Sequence, residues 1–314
     1  MKRSDWWRYQ YHDDRYMEGM DATALKLRLR DVLSNTRSVT DDLKLGMLST
    51  ATSGPYATNY WMVAFTHLLE EFGARGSGLP GDPDMSTMPK LDWPGLQSAI
   101  PIFQSSRARH PEVLVRYSSH DRIESAYEQG SIFINPASRF SDPSLNAAVR
   151  DDELSLTVYR RSSLFRTFYD EFGRALHPPG PALGHKTEVL RAPTNYYVYC
   201  MSMDRSPRLF GDFNANAALI IHDVRRFIRQ LGETVRKHLG SGWTWIARPV
   251  RYIDPLRAHP GPLNIFESKL FLYTYQHEFR VVWVPPNPVM DLKPFLVSIP
   301  PLKTISTAIK LRES

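Results

Sequence analysis

A single cysteine in 314 residues, Cys200, excludes an internal disulfide framework and any zinc site built on thiolates. It fits a reducing compartment or a brief passage through an oxidising one, and its expected place is a small core position. No run approaches the roughly 18 to 20 consecutive apolar residues that a membrane helix needs. The opening residues Met1-Lys-Arg-Ser-Asp-Trp-Trp-Arg8 carry no apolar stretch behind their positive charges, so no Sec-type signal and no membrane association are expected. Also absent are a His-Glu-x-x-His run, Cys/His pairs at ligand spacing, Gly-x-Gly-x-x-Gly and Gly-x-x-x-x-Gly-Lys-Ser/Thr. Structural zinc, Rossmann and P-loop nucleotide sites are thereby disfavoured, and no bound metal is expected. The chain has no internal repeat and no low-complexity tract.

What is present suffices for a large core, with 42% hydrophobic and 12% aromatic residues. A formal charge of +6 and an isoelectric point near 9.3 draw the chain toward phosphate-rich molecules: nucleic acid, an anionic surface or a dinucleotide. The densest basic run, Arg225-Arg226-Phe-Ile-Arg229 continuing to Arg236-Lys237-His238, has the spacing of the solvated face of an amphipathic helix.

Three regions are expected. Residues 1 to 75 form a helical N-terminal region, with Asp21 capping a stripe of Leu25, Leu29, Val32 and Leu33. Asn59 caps a second helix closed by Gly73. Residues 76 to 110 form a linker or strap, because Gly76, Gly78, Gly81 and Gly95 alternate there with Pro80, Pro83, Pro89 and Pro94. Residues 111 to 314 form an α+β domain. Strands are expected at 113 to 117, 131 to 135, 154 to 159, 196 to 202, 217 to 221, 243 to 252, 279 to 284 and 295 to 298. Helices are expected at 121 to 129, 163 to 176 and 223 to 239, a helix-like pattern at 264 to 275, and a Pro/Gly-rich loop at 177 to 184.

Three of these strand segments carry polar groups against local preference. They are Val113-Leu-Val-Arg116-Tyr-Ser118, Tyr196-Tyr-Val-Tyr-Cys200-Met-Ser202 and Tyr275-Gln276-His-Glu278-Phe-Arg280-Val-Val-Trp283. Each polar residue alone reads as the solvent face of a half-buried strand; together they suggest one site. A guanidinium such as that of Arg116 holds a pyrophosphate or ribose hydroxyls through a planar fork. A serine such as Ser202 orients a neighbour. A glutamate such as Glu278 stabilises positive charge on a sugar carbon as a C–N glycosidic bond loosens. Gln276, two residues earlier, shares a face with Glu278 if the strand has already begun.

In this order, Arg116, then Ser202, then Gln276-x-Glu278, the chain resembles the mono-ADP-ribosyltransferase superfamily over roughly residues 111 to 300. The resemblance implies an α+β core of two small packed sheets with flanking helices and an NAD-binding cleft between the sheets. It also implies NAD as substrate, with Arg116 gripping the dinucleotide, Ser202 supporting the site, Glu278 as the catalytic glutamate and Gln276 engaging the acceptor. The family usually has Ser or Thr two residues before its last Ser, where this chain has Cys200. Phe140-Ser-Asp142-Pro, Cys200-Met-Ser202 and the segment 269 to 280 are also similar to a widespread uncharacterised bacterial family with Asn-Asp-Pro, Cys-Phe-Ser and Lys...Glu-x-Glu-x-Arg signatures. The expectation is an ADP-ribosyltransferase of toxin or effector type, cytoplasmic or delivered into a target-cell cytoplasm. Its acceptor is a protein or a nucleic acid, and an immunity or antitoxin protein is a candidate partner. Tyr117, Ser118, Arg139 and Phe140 are the further candidates for holding NAD, with Tyr117 or Phe140 packing on a ring.

Other readings stay open. Asp254 followed by Glu267-Ser-Lys269 has the spacing of a metal-dependent nuclease, provided that Glu267 and Lys269 lie on a strand. Asp151-Asp152-Glu153 has oxygen ligands for a divalent metal and is equally a solvated turn. Phe140 is a stacking platform or the inward side of an Asp-Pro turn, and Ser119 is a helix cap. A nonenzymatic basic module that binds nucleic acid or protein is the alternative from a different class.

Overall fold

The computed structural model describes residues 3–47, 58–82, 87–161, 168–169, 175–176, 185–257 and 263–312. The N-terminal part has helices α1 (Arg3–Asp13), α2 (Ala22–Thr36) and α3 (Thr58–Ala74), with the short strands β1 (Arg37–Val39) and β2 (Leu45–Met47) between the last two. The chain continues through α4 (Leu96–Arg109), β3 (Leu114–Ser118), α5 (His120–Gln129), β4 (Ser131–Pro136) and a 3₁₀ turn, Ala137–Ser141. Next come β5 (Ser155–Arg161), β6 (Phe168–Tyr169), β7 (Ala175–Leu176), β8 (His185–Arg191) and β9 (Tyr197–Ser202). Then follow α6 (Arg208–Asp212), β10 (Ala217–Ile221), α7 (Val224–Leu239), β11 (Thr244–Pro249), β12 (Arg251–Ile253) and β13 (Ser268–Leu270). The last elements are β14 (Glu278–Val284), β15 (Phe295–Ser298) and β16 (Ser306–Lys310). The fold is mixed α+β. Among the described residues no helix is long and apolar enough to cross a membrane.

The core sheet runs β11-β14-β9-β3-β10-β16, with neighbours antiparallel. One edge of β9 is fully paired with β14, from Glu278 opposite Ser202 to Trp283 opposite Tyr197. The other edge is divided. β3 meets β9 at Val115 opposite Ser202, whereas β4, itself paired with β15, meets it at Asn135 and Pro136 opposite Val198 and Tyr197. Between these two contacts the sheet opens, and that opening positions the site.

Local sequence explains the layers. β10, Ala-Ala-Leu-Ile-Ile, is buried at all of its positions, as expected of a strand covered on both faces. On one face α7 supplies Phe227, Leu231 and Val235 at four-residue steps, while α5 supplies Ile123 and Ala126. Asp223 caps α7 by accepting from the Arg226 amide at 3.1 Å, and the basic run Arg225, Arg226, Arg229, Arg236, Lys237 and His238 is exposed as the spacing required. Gly232 lets α7 lie close on the sheet: a Cβ there would come within 2.7 Å of the Trp245 ring, and the Gly232 carbonyl accepts from Trp283 Nε1 at 3.2 Å. Gly130 ends α5 at φ 69°, where a side chain would meet the Ile299 carbonyl.

On the opposite face, α4 and α6 cover one half through Leu96, Ala99, Phe103, Leu209 and Phe210. Thus the expected strap over 76 to 110 is corrected. Fourteen of its last fifteen residues form α4, whose stripe Leu96, Ala99, Ile100, Phe103 is buried in spite of Pro101 inside the helix. The antiparallel pair β5-β8 and the parallel pair β12-β13 pack over the other half.

Three further expectations are revised. Of the helix expected at 163 to 176, the described residues Phe168–Tyr169 and Ala175–Leu176 are instead an antiparallel strand pair, while the rest and the loop at 177 to 184 lie outside the described residues. Asn59 lies within α3, which begins at Thr58 and continues past Gly73, so it is not the cap. The helix-like pattern at 264 to 275 resolves into a 3₁₀ turn, the strand β13 and a second 3₁₀ turn, Phe271–Gln276.

The N-terminal helices are built onto the rest of the chain. Leu25, Leu29, Trp61 and Leu68 share one core with Leu256 and Phe271, and Trp61 stacks on Phe271 at 5.4 Å. Asp21 caps α2 as expected, accepting from the Ala24 amide at 2.7 Å. The Arg208 guanidinium donates to the Ser34 and Arg37 carbonyls at the end of α2, to Ser34 Oγ, to the Thr87 carbonyl and to Asp212. It also lies 3.6 Å from the centre of the Tyr275 ring, tying α2 to α6 and to the turn before β14.

Candidate active site

A cavity of about 660 Å³ opens where β3 and β9 part, within the size range of small-molecule sites. Its wall includes seven of the eight candidate residues, Arg116, Tyr117, Ser118, Phe140, Ser202, Gln276 and Glu278; Arg139 is not part of it. Arg139 is exposed and paired with Asp142 on the 3₁₀ turn.

Arg116 and Glu278 reach this cavity from different sides of the sheet. Val115 lies opposite Ser202, so the neighbouring Arg116 points to the face covered by α5 and α7. Its guanidinium lies 4.9 Å from the Tyr199 ring centre and donates through Nη1 to the Cys200 carbonyl at 2.6 Å, on the open edge of β9. A smaller cavity of about 300 Å³ on that face, between α5 and β4, shares Arg116, Ser118 and Arg122 with the main one.

Ser202 is buried, and its Oγ accepts from the Asp204 amide at 3.0 Å. It shapes the turn after β9 while lining the cavity opposite Glu278. Cys200 is half-buried and also lines the cavity, which revises the expectation of a simple core position; burial pushes its thiol well above the ordinary range. Tyr117 contributes to the lining, but its ring packs edge-on against Phe210 and its hydroxyl bonds the Ser206 backbone. Phe140 and Phe213 are the half-buried aromatics of the lining; Phe140 lies on the 3₁₀ turn whose Asp142 closes an Asx turn with Ser144.

Glu278 is only 4% exposed and sits in a charged cluster. Arg280, on the same pleat face of β14, donates to Oε1 at 2.6 Å, and Lys269 donates to Oε2 at 2.9 Å. Burial disfavours the ionised form, yet Arg280 and Lys269 outweigh it and hold the Glu278 carboxyl below the usual carboxylate range. Glu153 meets Arg280 through both of its oxygens at 2.7 Å, and Asp151 and Glu153 each lie 3.8 Å from Lys269 Nζ.

Three carboxylates thus face two cations, Lys269 and Arg280. Burial pushes the Glu153 carboxyl up to about 7, Arg280 and Lys269 oppose this, and Asp151 and Glu278 add to the rise. The folded state therefore binds a proton between about pH 4.5 and 7 that the unfolded chain has released, so this contribution to stability is present below the lower value and is lost as pH rises through the upper. Glu153→Gln carries no such proton. Its thermal midpoint relative to wild type is expected to rise between pH 5 and pH 8, and a difference that stays constant would contradict the assignment.

The Asp151-Asp152-Glu153 segment alternates. Asp151 and Glu153 turn inward to the cluster, while Asp152 accepts from the Leu154 amide and from Ser155 Oγ in an exposed turn. Gln276 is buried, donating to the Ala148 carbonyl at 2.7 Å and accepting from Lys269 at 3.2 Å. It ends a 3₁₀ turn rather than lying on the strand, which starts at Glu278. Ser119 stands at the N-cap of α5 as expected, but its side chain makes no capping hydrogen bond; Asn216 Oδ1 accepts from the His120 amide at 2.7 Å instead.

Lys269 does lie on a strand, β13, but the nuclease-like trio is engaged separately. Asp254 pairs with Arg28, Glu267 with Arg248 and Asn264, and Lys269 with Glu278. Among the described residues no three His, Cys, Asp or Glu side chains are grouped to hold a metal ion. What sequence reasoning missed is the convergence of Glu153, Lys269 and Arg280. The signals were partial: Arg280 stands two residues after Glu278 in an otherwise apolar run and shares the segment 269 to 280 with Lys269, whereas Glu153 stood only in an acidic triplet that reads as a metal site or a turn. No family model, curated protein or solved structure matches this chain.

Proposed function

We propose that this chain is an NAD-dependent ADP-ribosyltransferase that modifies a protein or nucleic-acid acceptor, with the α+β core typical of that superfamily. The single observation that carries the reading is that Arg116 and Glu278, from distant parts of the chain, line one cavity where the sheet opens. On this reading Arg116 grips the pyrophosphate and Phe140 packs on a ring of the dinucleotide. Ser202 keeps the β9 end of the wall in register with Glu278, which supplies a fixed negative charge.

In the reaction the bond between the nicotinamide nitrogen and the ribose carbon breaks, and its electron pair neutralises the pyridinium. A lone pair of the acceptor then bonds to that carbon and the acceptor gives up its proton to solvent water. Glu278 favours the oxocarbenium-like state between the two events. Gln276 lies beside it on the acceptor side. Incubation with NAD labelled in its adenylate half and a cell lysate, followed by separate recovery of protein and nucleic acid, tests the proposal. Label is expected in one fraction and not with Glu278→Gln; unlabelled macromolecules and intact NAD across lysates would sink it.

A further inference from the structure

In a regular strand Gln276 and Glu278 would share a face through the pleat alone. Here they do not lie on one strand, because His277 between them adopts a left-handed φ of 43°. A non-glycine residue in that conformation turns the chain, so the alignment of the two side chains needs another cause. That cause is visible in Lys269. The residue is 5% exposed, and its ammonium donates to Gln276 Oε1 at 3.2 Å and to Glu278 Oε2 at 2.9 Å, bridging the two across the turn.

The lysine is itself held from several directions. It belongs to β13, outside the core sheet, where Lys269 pairs with Tyr252 of β12. Asp151 and Glu153 flank its nitrogen at 3.8 Å, and the Tyr273 ring lies 4.6 Å away. Three N–H donors on one compact ammonium suit this task, with two directed at the Gln276–Glu278 pair and the remainder toward the acidic segment.

We propose that Lys269 is a positioning residue that holds Gln276 and Glu278 as one unit at the cavity wall. What that unit acts on rests on the ADP-ribosyltransferase reading. If the alignment matters for turnover more than for holding the dinucleotide, loss of the bridge falls on kcat, since misplacement of a reacting group by about 1 Å costs roughly 100-fold. KM for NAD, governed by Arg116 and the ring platform, changes little.

The variants are Lys269→Met and the double variant Lys269→Met/Glu153→Gln, compared with Glu153→Gln alone. The double variant removes one carboxylate together with the ammonium, so folding is protected from an uncompensated charge. Expected for the double variant are a thermal midpoint recovered relative to Lys269→Met, kcat about 10- to 100-fold below Glu153→Gln, and KM within about 3-fold of it. The acid limb of its kcat profile should also move to higher pH. Glu278 is faced by Lys269, by Arg280 of its own strand, by Asp151 and Glu153, by Tyr252 of β12 and by Cys200 of β9, and it loses one of its two cations. Recovery of kcat and acid limb along with the thermal midpoint would overturn the proposal.

A readout independent of turnover separates this inference from the functional reading. The Glu278 side-chain carboxyl resonance, followed by NMR, should titrate at higher pH in the double variant than in Glu153→Gln. Identical titrations would overturn the role of Lys269 even if NAD is consumed. If the wild type consumes no NAD, the functional reading fails and the titration alone decides the bridge.

Discussion

Glu278→Gln is expected to lower NAD turnover by about two to four orders of magnitude, the size seen when one main electrostatic stabiliser is removed from an active site. The substitution keeps the shape of the side chain and one carbonyl acceptor, but it removes the negative charge from the cavity wall. It also leaves Lys269 and Arg280 facing an amide where both met a carboxylate. The same change therefore weakens folding, because a buried ion whose partner is neutralised loses its compensation. Activity has to be referred to the folded fraction, measured by circular dichroism at the assay temperature. A folded Glu278→Gln protein with wild-type turnover would remove the glutamate from the mechanism.

The second large effect concerns the attachment of the N-terminal helices. Arg28 on α2 donates to both oxygens of Asp254, at 3.0 and 2.8 Å, and the two side chains are 4% and 3% exposed. Tyr60 of α3 also donates to Asp254, and the Arg28 guanidinium lies 5.0 Å from the centre of the Phe271 ring. Desolvation acts against the charged form of each group, but the partner reverses it: the Asp254 carboxyl is held below its ordinary range and Arg28 above its own. Truncating one member of such a pair leaves a buried charge without its counterion, which costs about 3 to 5 kcal/mol. Arg28→Ala is therefore expected to lower unfolding free energy by that amount in a urea titration. Arg28→Met with Asp254→Leu, which removes both charges, should recover much of the loss. A loss below about 1 kcal/mol for Arg28→Ala would show that the helices are not fixed through this pair.

The parts of the fold legible in the sequence are those whose pattern is local. The apolar pattern alone gives β10 and β15 the bounds the structure has and places α7 over 223 to 239, whose first residue proves to be its cap, because an apolar run or a four-residue stripe is complete within one element. α4 carried such a stripe as well, Leu96, Ala99, Ile100 and Phe103, but the Gly/Pro alternation before it and Pro101 within it masked the signal. The segment 264 to 275 misled for a related reason. Two 3₁₀ turns around a three-residue strand place apolar residues at spacings that resemble a helix.

The site divides in the same way. Arg116, Ser202 and Glu278 stood out because each interrupts a run that would otherwise be apolar, and they do share a cavity wall. Lys269 and Glu153 were visible only as parts of other patterns, the Glu267-Ser-Lys269 spacing, the segment 269 to 280 and an acidic triplet, since their shared meaning depends on β13 and the segment before β5 being folded against β14. Gln276 was expected to follow the pleat, which the left-handed His277 prevents. The attachment of α2 to Asp254 was equally hidden, as nothing near either residue identifies the other.

Release of nicotinamide from NAD by the purified chain, followed over time for wild type, Arg116→Ala and Glu278→Gln, tests the central claim most directly. The account predicts release by wild type that falls at least about 100-fold in Glu278→Gln and becomes dependent on much higher NAD concentration in Arg116→Ala. No release by folded wild type with acceptors supplied from lysate, or release at equal rates by all three proteins, would contradict it.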